Sequence, residues 1–179
     1  MRGPEGQSSR NKLSGRFFVF FPVQGTMQHM KEFKVNLESE LLAIAKEVIL
    51  MLEEVTKREN AAGVLALHGN LGAGKTTFMQ MLAKELGVTE VVTSPTFVVM
   101  KKYEAEHEVF EHLVHIDAYR IEDVDEMRPL RFEEELSRKG TMIGIEWAEK
   151  IEALLPSYTI HLRFEITGET RVITIDHGN

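Results

Sequence analysis

Eight consecutive residues, Gly69-Asn70-Leu71-Gly72-Ala73-Gly74-Lys75-Thr76, match the spacing G-x-x-x-x-G-K-[ST] in full. The glycines let the backbone turn tightly, so that successive N–H groups converge on one anion. Lys75 adds a mobile ammonium for the outer phosphates of a nucleotide. The Thr76 hydroxyl is a hard oxygen ligand suited to Mg²⁺. This is the chemistry of a phosphate-binding loop, and the expected occupant is ATP with Mg²⁺. A glycine-rich turn that matches by chance is the competing reading, and the flanks argue against it. An apolar run, Val64–His68, leads into the loop, and an amphipathic segment from Lys75 to about Leu86 leads out and stops at Gly87.

A nucleotide site of this kind also needs a carboxylate to fix the metal and orient water. Two acids have the right local setting. Asp117 ends the apolar run His112-Leu113-Val114-His115-Ile116, and Glu146 ends Thr141-Met142-Ile143-Gly144-Ile145. Ligands gather beyond the carboxyl ends of parallel strands, so either acid could face the loop. The pattern does not say which of the two takes the metal, and a solvated acid at a strand end is the plain alternative. Ser94-Pro95-Thr96 reads as a turn, although segments in this place approach the outermost phosphate in some nucleotide hydrolases. The seven histidines show no metal-ligand spacing, and His112 and His115 read simply as strand residues. Trp147 fits either the core or the edge of the site.

The elements that must position these groups alternate between strand and helix. Residues 31–36 alternate polar and apolar, as a strand does. A helix capped by Asn36 or Ser39 should follow, with Leu41, Leu42, Ala45, Val48, Ile49 and Leu52 on its buried face, fading near Lys57–Asn60. Beyond the loop and its helix, Phe97–Tyr103 and Val109–Asp117 read as strands. Residues 118–140 read as one or two short surface helices around Pro129, and the charged run Glu122–Lys139 as a solvated face or a partner-docking surface. Thr141–Glu146 is a strand, and Tyr158–Ile166 with Arg171–Asp176 form a terminal hairpin. The expected fold is therefore α/β: a single P-loop NTPase domain over residues 30–179, with a mixed, mainly parallel central sheet and a C-terminal hairpin.

The composition bounds the function. With 179 residues, 43% hydrophobic and 27% charged, the chain can bury a core of its own. A formal charge of −7 argues against a broad basic surface for nucleic acid, so any RNA should be held by a partner. The absence of cysteine excludes disulfides and thiolate metal sites and suits a reducing, cytoplasmic setting. Residues 1–29 carry a net +3, leaving about −10 for the remainder. Their apolar run, Phe17–Val23, is too short for a membrane span or a secretion signal. They read as a disordered or non-native extension preceding a start at Met27 or Met30, the alternative being a short interfacial anchor.

Four motifs occur in order: Gly-Asn-Leu-Gly-Ala-Gly-Lys-Thr-Thr-Phe (69–78), Thr-Ser-Pro-Thr-Phe (93–97), His-Ile-Asp-Ala-Tyr-Arg (115–120) and Ile-Glu-Trp-Ala-Glu-Lys (145–150). Together they resemble the TsaE (YjeE) family, the small bacterial ATPases of tRNA threonylcarbamoyladenosine synthesis, over about residues 31–176. The resemblance implies Mg²⁺-dependent ATP hydrolysis, slow alone, alongside TsaB and TsaD. Those partners transfer the threonylcarbamoyl group to position 37 of tRNA, so this chain would meet tRNA only indirectly and would need no membrane. It also implies roles by position. Gly72, Ala73, Gly74, Lys75, Thr76 and Thr77 would wrap the phosphates, Thr76 and Glu146 would hold Mg²⁺, and Asp117 would lie near the outermost phosphate and assist hydrolysis. Arg171 would approach the nucleotide, and Leu37 would border the adenine. Asn70, where the family usually has aspartate, and Ala118, where leucine is commoner, depart from the pattern.

Two other functions share the loop. A small-molecule kinase would need a second substrate pocket and an arginine-bearing lid, for which Arg128, Arg131 and Arg138 are the candidates. A nucleotide-dependent interaction switch would bind ATP and ADP with no meaningful turnover.

Overall fold

The computed structural model describes residues 17–18, 29–168 and 170–177. Apart from the backbone of Phe17–Phe18 and of His29, the extension expected over residues 1–29 lies outside the described residues. The strands are β1 (Phe17–Phe18), β2 (His29–Val35), β3 (Gly63–His68), β4 (Met100–Glu104), β5 (His112–Asp117), β6 (Thr141–Glu146), β7 (Ile160–Thr167) and β8 (Thr170–His177). The α-helices are α1 (Glu38–Glu59), α2 (Lys75–Glu85) and α3 (Phe132–Leu136). Among the described residues the strands form one sheet in the order β1-β2-β8-β7-β3-β6-β5-β4. Its centre, β7-β3-β6-β5, is parallel. The β7-β8 hairpin, β2 beyond it and β4 at the far edge are antiparallel. This is a single α/β domain with the P-loop NTPase fold.

Side chains on a strand alternate between faces, and two buried clusters follow that period. Leu65 and Leu67 of β3, Leu113 of β5 and Met142 of β6 pack with α1 and α2 on one face. Val64, Ala66, Val114, Ile116, Ile143 and Ile145 pack on the other face with Met127 and Phe132. His115 and Asp117 are two and four residues beyond Leu113, and Glu146 is four beyond Met142. All three therefore share the α2 face, at the carboxyl ends of their strands. A Cβ on Gly144 would run into Met79 of α2, so that helix lies directly on β6.

Several element ends differ from expectation for identifiable reasons. Helix α1 begins after Leu37, not Asn36 or Ser39, because the Glu40 carboxylate reaches back to accept the N–H groups of Asn36 at 2.7 Å and Leu37 at 3.0 Å. Its apolar stripe uses Ile44, 3% exposed, where Leu42 had been expected. Strand β4 starts at Met100 and not Phe97. The N–H groups of Val98 and Val99 both turn back to the Pro95 carbonyl, and Val99 adopts a left-handed φ of 64°. Strand β5 starts at His112 because the N–H groups of Glu111 and His112 both go to the Gly140 carbonyl. The charged segment 118–140 holds a short 3₁₀ turn, Val124–Met127, and α3, on either side of Pro129. It is not solely a surface feature, since Ile121, Met127 and Phe132 anchor it in the core.

Candidate functional site

The loop after β3 is shaped by its neighbours as well as its glycines. A Cβ at Gly69 would lie 2.5 Å from the Phe164 carbonyl oxygen, so β7 admits only glycine at the start of the loop. Gly74 has φ 107° as the last residue before α2, a conformation that side chains resist. Lys75 is 4% exposed and its Nζ donates to the carbonyls of Gly69 at 2.6 Å and Asn70 at 3.1 Å. The ammonium also lies 4.1 Å from the centroid of the Trp147 ring. Burial lowers the Lys75 pKa below the usual lysine value, and the carboxylates of Glu146, Glu149 and Asp117 oppose that shift. Asn70 exposes its side chain and works through its backbone, which also accepts the Ala73 N–H at 3.1 Å.

The two strand-end acids are direct neighbours, with Asp117 opposite Glu146 in the parallel β5-β6 register. Their partners differ. Glu146 Oε2 accepts from the Thr76 hydroxyl at 2.9 Å, and Oε1 lies 2.9 Å from His115 Nε2. Asp117 Oδ2 accepts from Ser94 Oγ and Thr96 Oγ1, each at 2.6 Å, while Oδ1 accepts the Tyr119 N–H at 3.1 Å. The two hydroxyls are themselves 2.7 Å apart. Three short oxygen contacts thus share two protons.

A cleft of about 390 Å³ collects Gly72, Gly74, Lys75, Thr76, Thr77, Ser94, Thr96, Asp117 and Glu146, with Tyr119 and Trp147 forming an aromatic wall. The rings of that wall are 5.1 Å apart, and Trp147 is held by a left-handed φ of 57°. A second hollow of about 230 Å³ shares Gly72, Gly74 and Thr77 with the cleft. It extends past Ala73 to Leu37, Leu41, Phe164 and Arg171. Leu37, Gly72–Thr77, Asp117, Glu146 and Arg171, the residues expected from the sequence to meet the nucleotide and its metal, therefore each border one of two adjoining hollows at one end of the sheet. Trp147 belongs to the site edge. The arginines considered for a lid lie elsewhere: Arg128 pairs with Asp125, Arg131 with Glu134 and Arg138 with Glu135, and none lines the cleft. Sequence reasoning missed His115, which is fully buried against Glu146. Its spacing of two from Asp117, which puts both on one strand face, was the available signal.

Thr76 Oγ1 and Glu146 Oε2 form a facing pair of hard oxygens. Mg²⁺ is commonly bound by one or two carboxylates plus substrate phosphates and retained water, so this donor set fits it. Among the described residues no group of three or more His, Cys, Asp or Glu could hold a metal alone.

A glycine loop between a buried parallel strand and a helix, facing acids at adjacent strand tips, defines the P-loop class of nucleotide-binding folds. The profile of the family described as threonylcarbamoyl adenosine biosynthesis protein TsaE matches residues 28–173, and the chain belongs to that family. The chain is 40% identical over 106 residues to the tRNA threonylcarbamoyladenosine biosynthesis protein TsaE of Bacillus subtilis, covering 59% of this chain and 63% of that protein. It is 33% identical over 113 residues to the protein of that name from Treponema pallidum, covering 63% and 80%. The match thus spans less than two thirds of the Bacillus relative and four fifths of the Treponema one. The crystal structure of Bacillus subtilis YdiB superposes with a TM-score of 0.63 at 29% identity, covering 87% of this chain and 90% of that one.

Proposed function

We propose that this protein binds ATP with Mg²⁺ in the two adjoining hollows and hydrolyses it in support of tRNA threonylcarbamoyladenosine synthesis. The observation that carries this reading is the convergence of Lys75, Thr76, Asp117 and Glu146 on one cleft of about 390 Å³. Backbone N–H groups of Gly72–Thr77 and the N-terminal end of α2 receive the phosphates. Lys75 exchanges its two loop carbonyls for the β- and γ-phosphate oxygens. Leu37 and Arg171 border the hollow that takes the nucleoside.

Thr76 and Glu146 hold the metal, and Mg²⁺ so placed neutralises charge that develops on the phosphates. Asp117 stands beside Glu146 with two hydroxyls on one oxygen. It is the group that orients water toward the outermost phosphate, as such a carboxylate does in phosphoryl transfer. The aromatic wall of Tyr119 and Trp147 restricts water on the open side.

Membership of the TsaE family supports the pathway assignment, and the acidic charge supports indirect contact with tRNA. TsaB- and TsaD-like proteins are the proposed partners and the cytoplasm the proposed location. Among the described residues no helix is long and apolar enough to cross a membrane. The test is phosphate release from ATP, measured with this protein alone, with TsaB and TsaD, and with both partners lacking it. The proposal expects slow release alone and faster release with the pair. A phosphorylated metabolite in place of free phosphate, or tight ATP and ADP binding without release in any mixture, contradicts it.

A further inference from the structure

We infer that His115 is a positioning residue that fixes the Glu146 carboxylate with Oε2 toward the Thr76 hydroxyl, an assignment that rests on the nucleotide–metal reading above. His115 is 0% exposed and its Nε2 lies 2.9 Å from Glu146 Oε1. A carboxylate only accepts, so the imidazole must donate from Nε2. Nδ1 has no hydrogen-bond partner among the described residues. Among the described residues the ring's one hydrogen-bond partner is therefore Glu146.

The placement is specific to that oxygen. Thr76 from α2 donates to Oε2, while His115 from β5 holds Oε1. The carboxylate is thus gripped from a helix and from the neighbouring strand, with each oxygen assigned. Residue 144, opposite His115 in the β5-β6 register, is glycine, and the α2 side chain of Met79 fills the space above it. Joining β5 to β6 does not require this contact, because a backbone ladder already runs from His112↔Thr141 to Asp117↔Glu146. What the imidazole adds is orientation: without it Oε1 has no donor among the described residues, and the carboxylate can turn away from Thr76. Partners that orient metal ligands in this way govern metal affinity without touching the metal.

The test is calorimetric binding of ATP over a series of Mg²⁺ concentrations, for the wild type, His115→Leu, His115→Gln and His115→Asn. The readout is the Mg²⁺ midpoint, beside affinity measured in EDTA. His115→Leu should raise the midpoint by about 10- to 100-fold, as loss of an outer-shell partner does, with EDTA affinity preserved. His115→Gln, whose amide nitrogen extends as far as Nε2, should restore most of it, whereas the shorter His115→Asn should not. If His115→Leu fails to fold, the Gln and Asn pair decides: a shift in Asn alone supports the assignment, and equal midpoints overturn it. A folded His115→Leu protein with the wild-type midpoint also overturns it. Absence of any Mg²⁺ dependence in the wild type removes the nucleotide–metal reading itself, and the assignment with it.

Discussion

Asp117 and Glu146 are adjacent in the sheet and chemically alike, yet they are held in contrasting ways. The partners of Glu146 come from regular elements, Thr76 on α2 and His115 on β5, each using a separate carboxylate oxygen. The side-chain partners of Asp117, Ser94 and Thr96, come from the loop before β4 and crowd onto one oxygen. That loop is closed by Val99 with a φ of 64°, a conformation unfavourable for a β-branched residue. On the proposed function, the difference separates two tasks. A metal ligand must keep its place through a reaction cycle, and helix and strand supply rigid support. A group that meets the outermost phosphate must respond as that phosphate departs, and a loop sharing two protons among three oxygens can rearrange. Surface character follows the same division: Phe97 is 85% exposed and Val98 62%, whereas His115 is fully buried.

The sharpest break in this picture is at the loop both acids face. Lys75→Ala removes a charged donor to the phosphates, and ATP affinity should fall about 10- to 100-fold, as expected for a lost charge-assisted hydrogen bond. Unchanged affinity by calorimetry would show that the loop is not the phosphate site. Asp117→Asn bears on the acid held by the loop. Phosphate release should drop by about 100-fold, the lower end of what a positioned acid or base contributes, with nucleotide affinity near that of the wild type. Loss of affinity in proportion would assign Asp117 to binding instead.

Ser94→Ala and Thr96→Ala sharpen the loop's part. Each should cost about 0.5–1.5 kcal/mol in denaturant unfolding, since each removes one hydrogen bond. Because both hydroxyls serve one oxygen, the double variant should cost less than the sum of the two. Strict additivity would mean that the hydroxyls act independently.

The smallest effect lies at the root of the loop. His68 and His161 are stacked with Nε2 and Nδ1 2.9 Å apart, and His68 Nδ1 is 3.2 Å from Glu149 Oε2. Burial lowers both pKa values; Arg163 lowers that of His68 further, and the His68 charge lowers that of His161, while Glu149 and Asp176 oppose these shifts. The folded protein therefore favours neutral rings. Below the ordinary value of 6.5 the unfolded chain binds more protons. Stability from this pair is complete above that pH and declines as pH falls through the window beneath it. The Tm of His161→Gln should vary less than that of the wild type across this window, and equal slopes would remove the pair as the cause.

How much of this was legible in the sequence depends on how local each contact is. Gly69–Thr76 could be recognised as a unit because its strand, turn, lysine and hydroxyl are contiguous. Asp117 and Glu146 were visible as acids ending apolar runs, but 29 positions separate them, and only the β5-β6 register brings them together. His115 was hidden because it alternates with apolar residues and so resembles ordinary strand filling. The run Phe97-Val98-Val99 has the composition of a strand, yet the Pro95 carbonyl captures the amides that a strand would need. Leu42 and Ile44 both suit a helix stripe, and only packing against the sheet selects Ile44.

The most direct test of the account is calorimetric titration of ATP into the wild type and Glu146→Gln, each with Mg²⁺ and with EDTA. If Glu146 and Thr76 hold the metal while the loop holds the phosphates, Mg²⁺ should strengthen wild-type binding. Glu146→Gln should lose that gain and keep the affinity seen in EDTA. The account is contradicted if Mg²⁺ makes no difference to the wild type, or if Glu146→Gln retains the full gain.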